Sequence, residues 1–270
     1  MTEISPLESV LKRDRAVVLA GLIGVAALAW VYLFAMAAEM GEMSQGGVTG
    51  GGAMAALQVR PWGGLDFLLM FLMWTVMMVA MMVPSASPMV LLLSTVNRKR
   101  FPERSPLAPT AIFVLGYLVV WTLFSLMATL AQWGLHSVAL LSPTMVSTSP
   151  ILGAAVLIAA GLFQWTPLKS ACLKHCRSPL EFLTSNWREG IGGALLMGLR
   201  HGGVCTGCCW ALMALLFVAG VMNLLWVGLI AIFVLAEKIF PGGDLMGRAA
   251  GGVLVLAGLI LLAGTMHRFS

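Results

Sequence analysis

Seven apolar runs alternate with short polar segments along the chain, and each run has the length of a helix. They cover residues 16–38, 65–93, 109–133, 151–165, 191–221, 224–235 and 249–266. Inside lipid every backbone polar group needs a partner, which only helices and closed barrels supply. The pattern therefore predicts an all-α fold. We expect one polytopic transmembrane helical bundle of about seven spans at residues 16–270, after a cytoplasmic segment at 1–15.

Helix-breaking residues mark the ends of these runs. Two Gly clusters interrupt the segment at 39–64, and Ser142-Pro143 indicates a loop after the third run. Pro84 and Pro88 stand near the end of the second run. Residues 167–189 are polar, and we predict that they form a cytoplasmic loop.

The basic residues are distributed unevenly between the two sides of the predicted membrane. Of the 16 Lys and Arg residues, 13 fall on the side of the N-terminus, two fall on the other side, and Arg200 lies inside a run. Cytoplasmic loops of membrane proteins carry an excess of Lys and Arg. This asymmetry predicts a multi-pass protein of a bacterial-type inner membrane, with the N-terminus inside and the C-terminus outside.

The composition narrows the class of protein further. Hydrophobic residues make up 60% of the chain and charged residues 10%, whereas soluble domains carry about 25% charged residues. The net charge of +5 is therefore a topology signal, and the sequence has no nucleic-acid-binding pattern. No nucleophilic triad, phosphate-binding Gly loop or pair of catalytic carboxylates stands out, so whether the chain is an enzyme stays open.

The fifth run contains ligand-type side chains. His201, Cys205, Cys208 and Cys209 follow the spacing i, i+4, i+7 and i+8, which places them on one face of a helix. Ionisable residues are costly inside a membrane, so they indicate function. Thiolate and imidazole together bind copper(I), zinc or iron. A single buried Cys behaves as a small hydrophobic residue, but three Cys on one stripe with a His favour a metal or redox site.

The same run is rich in glycine. Gly192, Gly193, Gly198, Gly202 and Gly203 all precede the thiols. Small residues let the backbones of membrane helices approach closely. We therefore expect the fifth span to pack tightly against a neighbouring helix.

The second run supplies a stripe of thioether side chains. Met73, Met77 and Met81 follow helical spacing, and Met78 belongs to the adjoining row. Thioethers are soft ligands that suit copper(I). If the second and fifth spans run antiparallel, the stripe lies at the depth of the His and Cys residues. The alternative is that these Met residues fill gaps in an apolar core.

A second set of ligand-type residues lies in the polar segment at 167–189. Cys172, His175 and Cys176 have the spacing i, i+3, i+4, which can clamp one face of a metal ion. A closed zinc site needs four ligands. The alternatives are an incomplete second metal site and a pair of reduced, unliganded thiols.

Two charged residues are candidates for supporting the intramembrane site. Arg200 could neutralise thiolates or pair with Asp66 or Glu237. Alternatively, Arg200 bonds backbone carbonyls as a buried structural charge.

Several blocks of the sequence resemble those of a known family. They are residues 73–84 (MWTVMMVAMMVP), 87–89 (SPM), 164–172, 176–179, 198–220 with its CTGCCW segment, and Glu237-Lys238. On these blocks the chain resembles the DUF2182 family of predicted metal-binding integral membrane proteins, from about residue 65 to residue 266. The resemblance implies metal binding in a membrane, and it implies no substrate or reaction.

The leading hypothesis is a membrane protein that binds a soft transition metal, with copper favoured, for metal handling or delivery. Its partners would be the lipid bilayer, the metal ion and a protein partner in a membrane complex. Cys172, His175 and Cys176 would be an entry or exit site on the cytoplasmic face. The alternatives are a thiol/disulfide oxidoreductase that uses Cys205 and Cys208, and a structural subunit of a membrane complex.

Overall fold

The computed structural model describes residues 6–45, 62–137 and 149–269, and all regular structure in these ranges is helical. Most of the predicted segment at 39–64 and the predicted loop at Ser142-Pro143 lie outside the described residues. In chain order the helices are α1 (Pro6–Gln45), α2 (Gly64–Arg100), α3 (Leu107–Ser137), α4 (Pro150–Phe163), α5 (Pro167–Arg177), α6 (Pro179–Asn186), α7 (Gly190–Ala214), α8 (Leu216–Ala219), α9 (Leu224–Ile239) and α10 (Gly243–Phe269).

Five segments in the described part of the chain are long and apolar enough to cross a membrane. They are Ser9–Glu39, Gly64–Arg100, Leu107–Ser137, Gly190–Ala219 and Gly243–Thr265. The number rises to six if α4 and α5, which are bent by 62° at a short break, count as one span. The remaining apolar run forms α9, which has 16 residues. The chain is therefore an all-helical, multi-pass membrane protein.

Glycines bring α3 and α7 into close contact, as the sequence predicts. A Cβ atom on Gly198 would overlap the Phe113 carbonyl oxygen, and one on Gly116 would lie 2.5 Å from the Leu195 carbonyl oxygen. Real Cβ atoms cannot approach that closely, so only glycine allows this backbone separation. The α3–α7 pair forms the centre of the bundle, with α2 packed on α3 and α5 packed on α7.

Helix α2 continues through both of its prolines to Arg100. Pro88 lacks the N–H that would bond the Pro84 carbonyl, and Ser87 Oγ donates to that carbonyl at 2.8 Å instead. The Met82 carbonyl accepts bonds from Ser85 Oγ at 2.9 Å and from the Tyr117 hydroxyl at 3.2 Å. Hydroxyl groups thus satisfy backbone acceptors near the prolines, and the helix persists.

The polar segment at 167–189, predicted as a cytoplasmic loop, contains the two short helices α5 and α6, and its position on the cytoplasmic side stays a prediction. Thr166 begins α5 as its N-cap, since its side chain accepts a bond from the Lys169 backbone N–H, and Pro167 occupies the first turn. Lys169 and Leu173 are buried one turn apart on one face of α5. The segment is therefore amphipathic and packs its inner face along α7.

Candidate metal centre

Cys205 on α7 is the residue around which polar side chains converge. Its Sγ atom lies 3.1 Å from the Tyr117 hydroxyl of α3 and 3.0 Å from Lys238 Nζ of α9. Lys238 Nζ also donates to Ser85 Oγ of α2 at 2.9 Å. The Cys205 side chain is only 1% exposed, so side chains of α3 and α9 meet at one buried sulfur, and Ser85 of α2 joins them through Lys238.

The close α3–α7 contact places Tyr117 against the thiol. A Cβ atom on Gly202 would lie 3.1 Å from the Tyr117 carbonyl oxygen and 2.9 Å from the Val120 side chain. Any larger residue at Gly202 would push α3 away from α7. The Tyr117 hydroxyl then could not reach both the Met82 carbonyl and Cys205.

The other two thiols of α7 point back along their own helix. Cys208 Sγ and Cys209 Sγ donate to the Cys205 carbonyl at 3.0 and 2.9 Å. A side-chain donor in a helix reaches the carbonyl three or four residues earlier. Both side chains are buried, so these bonds satisfy the thiols inside the bundle.

Cys176 brings the thiols of α5 next to those of α7, which are about 30 residues away in the sequence. Its Sγ atom on α5 lies 3.9 Å from Cys208 Sγ on α7, and Cys176 is close enough to Cys205 for the two sulfurs to interact electrostatically. Cys172, one turn earlier, also faces α7, because its sulfur would lie 3.0 Å from a Cβ atom on Gly207. All five Cys residues are free thiols.

His175 lies apart from this group of thiols. Its side chain is exposed, and its Nδ1 atom lies 2.8 Å from the Ala171 carbonyl oxygen. The i, i+3, i+4 spacing of Cys172, His175 and Cys176 therefore does not bring the three side chains together. Two sulfurs face α7, and the imidazole faces outward.

His201 occupies an aromatic cage on α7. The centroid of its ring lies 5.8 Å from that of Phe113, 5.7 Å from that of Tyr117 and 5.2 Å from that of Phe182. The side chain is 3% exposed, and its buried Nδ1 atom has no hydrogen-bond partner among the described residues. An imidazole nitrogen with a free lone pair is a potential metal ligand.

A cavity of about 210 Å³ opens beside the thiols. Cys176, His201, Met89 and Lys238 are among the residues that line it, together with Ser85 and Arg177. A thiol, an imidazole and a thioether therefore share one cavity with an ammonium group. This set of side chains offers soft ligands to an incoming ion.

The methionine stripe of α2 has different surroundings. Met73, Met77, Met78 and Met81 are at most 1% exposed and belong to the hydrophobic core of the bundle. Among the described residues, none of these four lines the cavity beside the thiols, whereas Met89, about two turns further along α2 than Met81, does.

Two charged groups that the sequence singled out lie apart from the thiols. Glu237 Oε1 pairs with Lys169 Nζ at 2.6 Å, and both side chains are almost fully buried. Lys169 Nζ also donates to Gln164 Oε1. Arg200 is exposed and donates to Asn186 Oδ1 at 2.9 Å. The buried ion pair therefore connects α5 to α9, and Arg200 takes no part in it.

Sequence reasoning missed three polar residues at this site. The sequence places Lys238 among the basic residues of the inner side and in the Glu237-Lys238 block of the resemblance, without a part in the site, and it assigns no role to Tyr117 or Ser85. One signal was available for Tyr117, because the chain has only two Tyr residues and this one interrupts an apolar run. A buried Tyr hydroxyl needs a hydrogen-bond partner.

The thiols are close to a metal-binding arrangement without forming one. Across the residues that the structure describes, no three Cys, His, Asp or Glu side chains are placed to hold a metal ion. Sulfur binds metals such as zinc at about 2.3 Å, so two sulfurs on one ion lie at most about 4.6 Å apart. The separation of 3.9 Å between Cys176 Sγ and Cys208 Sγ falls within this limit.

No curated protein and no solved structure matches the chain. A family model does match it: PpoB2, described as a copper chaperone, covers residues 71–261. The match includes α3, α5, α7 and α9 and the whole thiol cluster, and it does not carry the DUF2182 name. The chain belongs to the PpoB2 family of copper chaperones.

Proposed function

We propose that this protein binds copper(I) as cargo at Cys176, Cys205 and Cys208 and passes it to a protein partner. The separation of 3.9 Å between the sulfurs of Cys176 and Cys208 carries the proposal, since it joins two helices through soft ligands. Cys205 would complete a three-sulfur site after a small displacement of its side chain toward the other two. Copper handling itself follows from membership of the family.

The cavity beside the thiols is the proposed route of the ion. Met89 and His201 line it on the way to Cys176. A thioether and a neutral imidazole bind copper(I) without adding charge. The ion could therefore be held transiently in the cavity before the thiolates take it up. This scheme gives no ligand role to Cys209, Cys172, His175 or the stripe at Met73, Met77, Met78 and Met81.

The experiment compares copper binding of the purified protein with that of Cys variants. The detergent-solubilised protein is loaded with copper(I) under anaerobic, reducing conditions, and a chromogenic copper(I) chelator competes for the metal. We expect one tightly held ion in the wild type and its loss in Cys176→Ser/Cys208→Ser. X-ray absorption of the loaded wild type should show copper bonded to sulfur. Full copper retention by the double variant would contradict the proposal.

Cys172→Ser is the matched control. Cys172 lies on the same helix as Cys176 and also faces α7, but its sulfur packs on Gly207. The control removes one thiol of α5 and should leave copper affinity within about threefold of the wild type, as expected for a residue that is not a ligand. A loss as large as that of the double variant would extend the site to Cys172.

We also propose that the protein crosses the inner membrane seven times, with the N-terminus inside. The distribution of Lys and Arg supports this orientation. The number of spans depends on α9, because this helix must cross the membrane if there are seven. With 16 residues at 1.5 Å each, α9 is about 24 Å long, which is shorter than a hydrocarbon core of about 30 Å. A topology reporter fused after Ser270 tests the number: an external reporter indicates an odd count, and a cytoplasmic reporter would exclude seven spans.

The two alternative functions from the sequence receive no support from the family match.

A further inference from the structure

A cavity of about 280 Å³, which we call the interfacial cavity, lies where α2 ends and α3 and α7 begin. Phe101 lines it beyond the end of α2, Pro109 in the first turn of α3 and Gly190 in the first turn of α7. All three helices belong to segments that are long and apolar enough to cross a membrane. The ends of such helices lie at the membrane surface, so the cavity lies at the level of the lipid head groups.

Guanidinium groups give the interfacial cavity an excess of positive charge. Arg104 and Arg188 line it. The Arg100 guanidinium lies 4.7 Å from the centroid of the Trp187 ring, which lines the same cavity. None of the ion pairs between described residues gives these arginines a carboxylate. Glu189 is the one acidic residue of the lining, so the arginines outnumber the carboxylates.

The α7 wall of the interfacial cavity is apolar. Ile191, Ala194 and Met197 line it at intervals of three residues, and the last two are each 2% exposed. The Nε1 atom of Trp187 is buried and has no hydrogen-bond partner among the described residues, although a buried indole N–H usually finds one. The cavity therefore combines cations and an unused donor with an apolar wall, which suits an amphiphile with an anionic head group.

We propose that the interfacial cavity binds an anionic phospholipid. Arg104 and Arg188 pair with the phosphate oxygens, since a guanidinium donates two parallel hydrogen bonds to such a group. The first part of the acyl chains packs against Ala194 and Met197 on the α7 wall. Basic pockets between membrane helices bind anionic head groups in this way. A free phosphate ion would leave the apolar wall without a partner, which favours the lipid.

The lipid site is separate from the proposed copper site. The two cavities have no lining residue in common among the described residues. Variants of the interfacial cavity should therefore leave copper(I) affinity unchanged, and a failure of this proposal would not affect the proposed function.

Native mass spectrometry of the full chain in mild detergent tests the proposal. The protein is titrated with phosphatidylglycerol, which is anionic, and with phosphatidylcholine of the same acyl chains, which is zwitterionic. We expect the wild type to bind phosphatidylglycerol at least about tenfold more tightly, because two arginines each favour the anionic head group. Arg104→Gln/Arg188→Gln should lose this preference. If the double variant does not fold, Arg104→Gln alone should still lower the preference by about threefold.

Arg13→Gln/Arg15→Gln is the matched control. It also removes two exposed arginines from the side predicted to be cytoplasmic, but these residues of α1 do not line the interfacial cavity. The control should keep the wild-type preference, and an equal loss would reveal a general effect of surface charge and overturn the assignment to the cavity.

Three other outcomes would overturn the proposal. One is a folded Arg104→Gln/Arg188→Gln variant with the wild-type preference. Another is a wild type that binds both lipids equally. The third is displacement of bound phosphatidylglycerol by inorganic phosphate, which would assign the cavity to a free anion.

Discussion

The thiols of α5 and α7 and the methionines of α2 are two sulfur-rich regions of the same bundle with different surroundings. The thiol region receives polar side chains from α2, α3 and α9 and lies beside a cavity. The methionine region is enclosed by apolar side chains over most of its length. One turn before Met73 on α2, Gln132 Nε2 lies 3.8 Å from the Sδ atom of Met70.

The difference between the two regions shows what makes a set of soft side chains a candidate site. Regular spacing on one helix aligns the side chains but gives no reason for them to bind an ion, because Met also packs well in a core. At the thiols, sulfur-bearing side chains from two helices meet beside charged and polar groups, whose burial in a membrane protein costs free energy and therefore indicates a function. Side chains that converge from several helices are therefore better evidence for a functional site than regular spacing along one helix.

Breaking the ion pair that joins α5 to α9 should have the largest effect. Lys169→Met leaves Glu237 buried without its partner, and we expect a loss of about 3–5 kcal/mol in the free energy of unfolding. Unfolding in detergent, followed by tryptophan fluorescence, measures the change. The double variant Lys169→Met/Glu237→Leu removes both charges and should recover most of the loss. A single variant as stable as the wild type would contradict the structural role of the pair.

Cys205→Ser tests the centre of the thiol region. The hydroxyl preserves the contacts with Tyr117 and Lys238 but is a hard ligand, so we expect copper(I) affinity to fall by at least about 100-fold, beyond the usual effect of losing an outer-shell partner. Cys209→Ser is the matched control, because both thiols are buried on α7 and Cys209 donates to the Cys205 carbonyl of its own helix. Equal losses of copper(I) affinity in Cys205→Ser and Cys209→Ser would contradict the assignment of Cys205, and not Cys209, to the site.

Much of the fold follows from the sequence because lipid leaves the backbone few choices. Every predicted apolar run is helical, and Gly198 and Gly202 mark the α3–α7 contact. The helix at α5 could not be found from hydropathy. Lys169 is charged and yet buried by its pairing with Glu237 on a distant helix, so the inner face of α5 does not look apolar in the sequence.

The candidate site was predictable only in part, for a related reason. Periodicity places Cys205 and Cys208 on one helix face, which requires no knowledge of other helices. The approach of Cys176 and Lys238 depends on how α5 and α9 pack in three dimensions, and a single sequence contains no direct record of that packing. The packing of the helices around α2 also determines which of its Met residues lines the cavity.

Gly198→Ala should have an intermediate effect, on the helix pair that holds Tyr117 against Cys205. The new Cβ atom would overlap the Phe113 carbonyl oxygen, and we expect a destabilisation of about 1–3 kcal/mol from forced separation of the helices. Gly203→Ala is the control, because nothing lies within 4 Å of a Cβ atom at that position. Its stability should stay within about 0.5 kcal/mol of the wild type or rise through better helix propensity.

The smallest effect is expected in the methionine region itself. Met77→Leu and Met78→Leu conserve volume in the core, so each should cost less than about 1.5 kcal/mol, and copper(I) affinity should stay within about threefold of the wild type if neither sulfur is a ligand. Met89→Leu is the informative comparison, because Met89 lines the cavity at the thiols. We expect it to slow copper loading from a chelator while leaving the final stoichiometry unchanged. If Met77→Leu instead lost the ion in a folded protein, α2 would belong to the metal site, and the contrast between the two sulfur-rich regions would no longer hold.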